Sequence, residues 1–175
     1  NWWYQEIDVP KKLVRILFYP LENEPYLPVL RELALLGMPA VDESLPHLST
    51  DIGANLMDKL IVAVAIAAAT RDTVSMKNVV TRLLDHELSI FSSVNGGEGI
   101  MTDGSFHQHA SLLYNGSYGS VFCNNVNTLL EYLEDTSFMV SDRALNIYTD
   151  FILDGHSLMF YNNMSDFSCF GRAVS

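Results

Sequence analysis

The chain has 175 residues, 49% of them apolar and 18% charged, and its 21 acidic against 10 basic side chains give a formal net charge of −11. That length and apolar share predict one domain with a real core, and exclude a disordered tail or a disulfide-stapled mini-protein. The acidic excess runs through both halves of the sequence, so no basic stripe is available for nucleic acid.

In chain order, apolar residues recur mostly at spacings of three and four, which predicts helices. Pro10 suits the first turn of a helix running through Leu13, Ile16 and Leu17 and stopped at Tyr19-Pro20. A second helix is expected from Pro28 to Leu36, ended by Gly37 and Pro39, and a long surface loop from Pro39 to Asp51. Helices follow near Asn55 to Thr70 and Ser75 to Ser92. The longest apolar run, LIVAVAIAAA at residues 60–69, is roughly half of a bilayer span and predicts a helix packed inside the protein, without membrane insertion. Six of the ten glycines lie between Ser92 and Gly119, which predicts a long irregular segment of the kind that usually carries function. Two more helices close the chain, Ser120 to Glu134 and Ser141 to Phe160, with Ser141 and Asp142 as cap candidates. The predicted class is all-α, with about six helices in antiparallel pairs, as a bundle or a ring of helical hairpins. No repeat or interdomain linker interrupts it.

The cysteines, Cys123 and Cys169, fit neither a zinc spacing nor a redox pair and set no compartment. The chain begins with Asn1 and carries no signal pattern, which predicts a mature product or an excised piece. Asn115-Gly-Ser and Asn163-Met-Ser are formal glycosylation sequons, and a glycan on the first would stand between two tyrosines.

The richest stretch for chemistry is D-G-S-F-H-Q-H-A-S-L-L-Y-N-G-S-Y-G, Asp103 to Gly119. It places two imidazoles and two phenols between helices, a combination suited to acid–base work near neutral pH. The competing reading is a loop whose tyrosines pack while its histidines are solvated. His107 and His109 are also a conceivable half of a metal site, but Asp103, His47, His86 or His156 would have to complete the shell. His86 and His156 fall in predicted helices and read as surface or core residues. Glu98 and Asp103 make a weak glycosidase pair, with nothing fixing their separation.

Outside that stretch, three features stand out. Trp2, Trp3 and Tyr4 cannot all face one core, so at least one is expected to be exposed as a platform for a sugar ring; the alternative is an N-terminal anchor. Asn55, in T-D-I-G-A-N-L, lies at or near a helix start and taken alone reads as an N-cap. Arg172, in C-F-G-R-A-V-S, is the only base after Arg143.

Taken together in this order, N-W-W-Y-Q-E-I, G-A-N-L-M-D, D-G-S-F-x-Q-H-x-x-x-x-Y-x-G-x-Y-G and F-G-R-A-V-S resemble the catalytic helical domain of polysaccharide lyase family eight, the hyaluronate, chondroitin AC and xanthan lyases. The resemblance spans Asn1 to Ser175. It implies helical hairpins forming part of an incomplete (α/α) toroid, and cleavage of acidic polysaccharides at a uronic acid by β-elimination, with no cofactor and no metal. It further implies that Asn55 hydrogen-bonds the uronate carboxylate and that His109 and Tyr118 form the catalytic pair. Tyr118 protonates the departing oxygen, and either His109 or Tyr118 removes the C5 proton. Arg172 stands beside the tyrosine and the polyanion, and Asn1, Trp2 and Trp3 orient sugars. The family implies no role for His107 and a structural one for Tyr114.

The sequence departs from the family pattern in two places. A second arginine would fall four residues after Arg172, one residue beyond Ser175, and Ser49 lies near where a third aromatic of the sugar patch is expected. A C-terminal β-sandwich is expected to complete the cleft, so residues 1–175 read as part of a single helical catalytic domain from a secreted or periplasmic enzyme. Expressed alone, such a segment is expected to self-associate. Two alternatives remain: a carbohydrate-binding or scaffold protein on a lyase-like fold, and an unrelated helical hydrolase using His109 with a carboxylate.

Overall fold

In the computed structural model, which describes residues 1–18, 25–36, 52–89, 97–162 and 164–173, the long apolar run becomes the middle of a core helix. Numbered in chain order, the α-helices are α1 (Val9–Leu17), α2 (Leu27–Leu36), α3 (Gly53–Thr70), α4 (Thr73–Asn78), α5 (Asp85–Ser89), α6 (Ser120–Leu133) and α7 (Asp142–Asp150). By length and composition α3 is apolar enough to cross a bilayer, yet 72% of it is buried inside the fold. A helix apolar on every side is stable only when surrounded, and its alanines let neighbours approach closely. α6 lies along it through Phe122, Val126, Leu129 and Leu133, a three-and-four spacing that forms one apolar face. α1 packs on another side and pairs with α2.

A paired carboxylate is buried between the helices of this core. Asp58 of α3 accepts from Lys11 Nζ at 2.5 Å and from Asn125 Nδ2 at 2.8 Å. A buried carboxylate is tolerable only when so paired, and the pairing ties α1, α3 and α6 together.

The expected elements recur with informative differences. The first helix does not begin at Pro10: helical backbone continues upstream through a π-turn, Tyr4–Asp8, to Trp2. Pro10 has no N–H for the turn before it, and a widened turn lies where that hydrogen bond is missing. The expected helix from Ser75 starts at Thr73 instead, because Asp72 caps it, accepting from Val74 N and Ser75 N at 3.1 and 3.0 Å. A π segment, Val79–Leu84, joins α4 to α5. Ser141 caps α7 as expected, its Oγ accepting from Ala144 N at 3.2 Å. The helix expected to run to Phe160 changes to a π-turn at Phe151–Gly155 and a 3-10 turn at His156–Met159. The expected loop over residues 39–51 lies outside the described residues.

The segment expected to be irregular holds a three-stranded antiparallel sheet: β1 (Gly99–Ile100), β2 (Phe106–Gln108) and β3 (Leu112–Leu113), in the order β1-β2-β3. Ile100 pairs with Phe106, and His107 with Leu113. Strands of two or three residues carry no readable period, so the sequence pattern misses them. Phe106 is fully buried and stacks near Phe122, with ring centroids 4.9 Å apart. Both α3 and α6 begin at this sheet. The first N–H groups of α3 are occupied there, Gly53 N by Glu87 Oε1 and Ala54 N by Gln108 Oε1, and α6 runs on from a π-turn rather than starting free. A second hairpin, β4 (Phe160–Tyr161) with β5 (Met164–Ser165), precedes the last 3-10 turn, Phe167–Phe170.

Candidate active site

His109 occupies the turn between β2 and β3. It has φ 54° and Ala110 has φ 70°, so two consecutive residues with side chains sit in the left-handed region. Each such residue costs on the order of 1 kcal/mol and persists only where its surroundings impose it. The imposing group is Glu98. Its Oε1 accepts from Ala110 N at 2.9 Å and its Oε2 from Gln108 Nε2, so one carboxylate grips the chain on both sides of His109.

Tyr118 stands in a π-turn, Asn115–Gly119, that leads directly into α6. The turn is held against β2 by Asn115, fully buried, whose Oδ1 accepts from Phe106 N at 2.8 Å. The first glycosylation sequon is thus committed to the interior, and Asn163 lies outside the described residues. With both turns fixed to β2, the Tyr118 hydroxyl stands 3.2 Å from His109 Nε2.

Arg172 Nη2 lies 3.0 Å from the same imidazole nitrogen. Arginine can only donate, so Nε2 faces it as a lone pair and the ring proton of a neutral His109 belongs on Nδ1. The result is an acceptor nitrogen touching both a phenol and a guanidinium, an arrangement able to relay a proton beside a fixed positive charge.

Tyr114 supports all three. It is fully buried, and its ring meets the rings of His109 and Tyr118 edge-on at centroid distances of 5.8 and 5.0 Å. Its hydroxyl accepts from Arg172 N at 3.0 Å. Gly171 makes that contact feasible: at φ 54° a Cβ would come within 2.4 Å of the Tyr114 ring.

Asn55 is the third residue of α3 rather than its N-cap, which is Ile52. The cap reading fails because the first N–H groups of α3 are taken by distant side chains: Gly53 N donates to Glu87 Oε1 at 2.8 Å, and Ala54 N to Gln108 Oε1 at 3.1 Å. Gly53 has φ 62°, and a Cβ there would meet Gln108 Oε1 at 2.7 Å. Gln108 thereby joins the start of the Asn55 helix to the residue just before His109. Glu87 is buried, and burial pushes its carboxyl up to about 7, with the Gly53 hydrogen bond opposing and the Glu98 charge adding.

The N-terminal aromatics are exposed together: Trp2, Trp3 and Tyr4 are 52, 42 and 53% accessible. Asn1 Oδ1 accepts from Trp3 N at 3.2 Å, and Lys59 Nζ lies 6.0 Å from the Trp2 ring centre. Lys59 is one helical turn beyond Asn55 on α3, so the aromatic group approaches the same helix.

Other sequence candidates separate from this cluster. His107, expected to be solvated under the loop reading, is buried, with Nε2 3.1 Å from Ser105 Oγ. Among the described residues no three acidic, Cys or His side chains cluster. Asp103 is engaged by Ser105 Oγ and N, which hold its carboxyl low. Glu98 grips the His109 turn, so both carboxylates of that candidate pair are engaged in local hydrogen bonds. His86 is exposed. His156 is half-buried between Phe151 and Phe160, and burial lowers its pKa. Cys123 and Cys169 are buried and unbonded. His47 and Ser49 lie outside the described residues. Sequence reasoning missed Glu87, Glu98 and Gln108 as supports; only the hydrogen bonds that the fold gives them reveal the role.

The whole of residues 1–175 matches the N-terminal α-helical domain of polysaccharide lyase family 8. The chain belongs to that family. Among its relatives, chondroitinase-AC of Pedobacter heparinus is 28% identical over all of this chain and 24% of its own length. Hyaluronate lyase HylB of Enterococcus faecalis is 28% identical over 87% of the chain and 16% of its length. A solved chondroitinase AC lyase, studied as oligosaccharide complexes, superposes with TM-score 0.80 at 27% identity, covering 99% of this chain and 25% of that one. The chain thus spans a quarter or less of the relatives it matches. As a lyase family 8 helical domain, its hairpins are those of an (α/α) toroid, and the all-α reading of the sequence stands.

Proposed function

We propose that this chain carries the catalytic face of a polysaccharide lyase. The enzyme cleaves a uronic-acid-containing polymer of the hyaluronan, chondroitin sulfate or xanthan type by β-elimination, leaving unsaturated oligosaccharides. It acts outside the cytoplasm, where such polymers are met, and within a longer polypeptide whose β-sandwich closes the cleft. The observation that carries this reading is the contact of His109 Nε2 with Tyr118 OH at 3.2 Å and Arg172 Nη2 at 3.0 Å.

Asn55 holds the uronate carboxylate by its amide, at the N-terminal end of α3. Stabilising the negative charge that develops there acidifies the adjacent C5–H. His109 Nε2, a lone-pair nitrogen in this arrangement, takes that proton. The C5–H electron pair becomes the C4=C5 double bond, the bond from C4 to the glycosidic oxygen breaks, and Tyr118 protonates the departing oxygen. Arg172 holds the polyanion beside the phenol and Trp2 and Trp3 offer apolar faces to sugar rings, with Asn1 Oδ1 bonded to the Trp3 backbone. Every step moves protons and electron pairs among this chain's side chains and the substrate.

The test follows absorbance of the unsaturated uronate while the full-length parent polypeptide is incubated with hyaluronan, chondroitin sulfates, xanthan and alginate. Absorbance that grows with the wild type and vanishes in Tyr118→Phe and His109→Ala supports elimination. New reducing ends without absorbance would point to hydrolysis, and retention of polymer without cleavage to a binding protein.

A further inference from the structure

The supports of the His109 turn form a single connected chain. Glu98 accepts from Gln108 Nε2 and from Ala110 N, the residues on either side of His109. The other end of the Gln108 amide, Oε1, accepts from Ala54 N, next to Asn55. Gln108 is almost completely buried at 2% exposure, so its amide depends on these two partners rather than on water, while the Ala110 N bond to Glu98 lies at the surface. We infer that Glu98 and Gln108 are positioning residues: together they hold His109 in its left-handed turn and set its register against Asn55. This rests on the elimination reading of the same site.

The chemistry demanded at each position is specific. Position 108 must accept from a backbone N–H on one side and donate to a carboxylate on the other, which among side chains of this length only an amide does. Position 98 must accept twice. A carboxylate at position 108 would face Glu98 with like charge and lose the donor. Exchanging the two residues, however, remakes every bond: the amide placed at 98 accepts from Ala110 N and donates to the carboxylate placed at 108, which still accepts from Ala54 N. Glu87, on Gly53 N next door, is a further charged group near this chain, and the exchange leaves the total charge facing it unchanged.

The experiment compares wild type, Gln108→Glu, Glu98→Gln and the double exchange in the full-length parent chain. It measures kcat and KM on hyaluronan and chondroitin sulfate, melting temperature, and hydrogen exchange at the Ala110 amide. Misplacing one reacting group by about 1 Å costs about 100-fold, so Gln108→Glu is expected to lose about that much kcat with KM little changed. Glu98→Gln, which keeps the shape and gives up one charged acceptor, loses about 10-fold. The double exchange returns kcat to within about 10-fold of wild type, the mutual rescue expected of residues in direct contact. A double exchange that regains the melting temperature but not kcat makes the pair merely structural and overturns the inference. If the wild type is silent on every polymer, the elimination reading fails. Ala110 exchange then decides: protection lost in Gln108→Glu and regained in the double exchange upholds the clamp, and equal protection in all four chains overturns it.

Discussion

At the scale of single residues, the site depends on a nitrogen with two donors aimed at it and a buried ring beneath. Tyr118→Phe removes only a hydroxyl, yet takes away the proton donor proposed for the leaving oxygen, so kcat should fall about 1,000-fold with little change in melting temperature. Tyr114→Phe is a different loss. The Arg172 N–H gives up its partner at 3.0 Å, which costs about 1 kcal/mol and frees the guanidinium to wander; stability by denaturant titration and KM for the polymer should both respond. His109, Tyr118, Asn55 and Arg172 are singled out in the sequence through the family resemblance, and the fold brings His109, Tyr118 and Arg172 into contact. Tyr114 could not be given its full part, because its value lies in being buried under two other rings, a tertiary fact. Glu98 and Gln108 were equally hidden: the first looked like a spare carboxylate, and the second carries no reactivity of its own.

Helices were legible where an apolar period ran for three turns or more, as in α3 and α6, and their limits shifted only where capping came from afar. Asn55 looks like a cap because side chains of that type usually are, but Glu87 and Gln108 reach across to take the first N–H groups of α3. The small sheet escaped notice because its strands are too short for alternation to show. Glu87 also gives a pH signature to the junction it caps. Its carboxyl is pushed from 4.5 to about 7 by burial, so the folded state keeps a proton that the unfolded chain releases between these values. Its contribution is fully present below about pH 4.5 and is lost as pH rises to about 7, an effect on the order of 3 kcal/mol. Melting temperature should therefore decline across that window in the wild type and decline less in Glu87→Gln, which keeps an acceptor for Gly53 N; identical slopes would contradict it. Deeper in the core, Asp58→Ala strands Lys11 and Asn125 without the carboxylate that meets both. A loss of about 3 kcal/mol is expected, read as a lower denaturation midpoint.

For the molecule as a whole, composition suggested a self-sufficient acidic domain, and the fold changes that picture. α2 presents Val29, Leu33 and Leu36 at 57, 57 and 83% exposure, and the C-terminal region presents Leu158, Tyr161 and Phe167 at 75, 78 and 73%. Apolar surface on that scale is normally covered, so residues 1–175 expressed alone should self-associate, visible as a rising scattering mass with concentration. On the elimination reading, the charge of −11 has to be offset locally where the polymer binds. Arg172, 3.0 Å from His109 Nε2, provides local positive charge there. The measurement that tests this account most directly is absorbance of the unsaturated uronate during incubation of the full-length parent polypeptide with hyaluronan and chondroitin sulfate. The account predicts a steady rise in the wild type and none in Tyr118→Phe; new reducing ends appearing without that absorbance would contradict it.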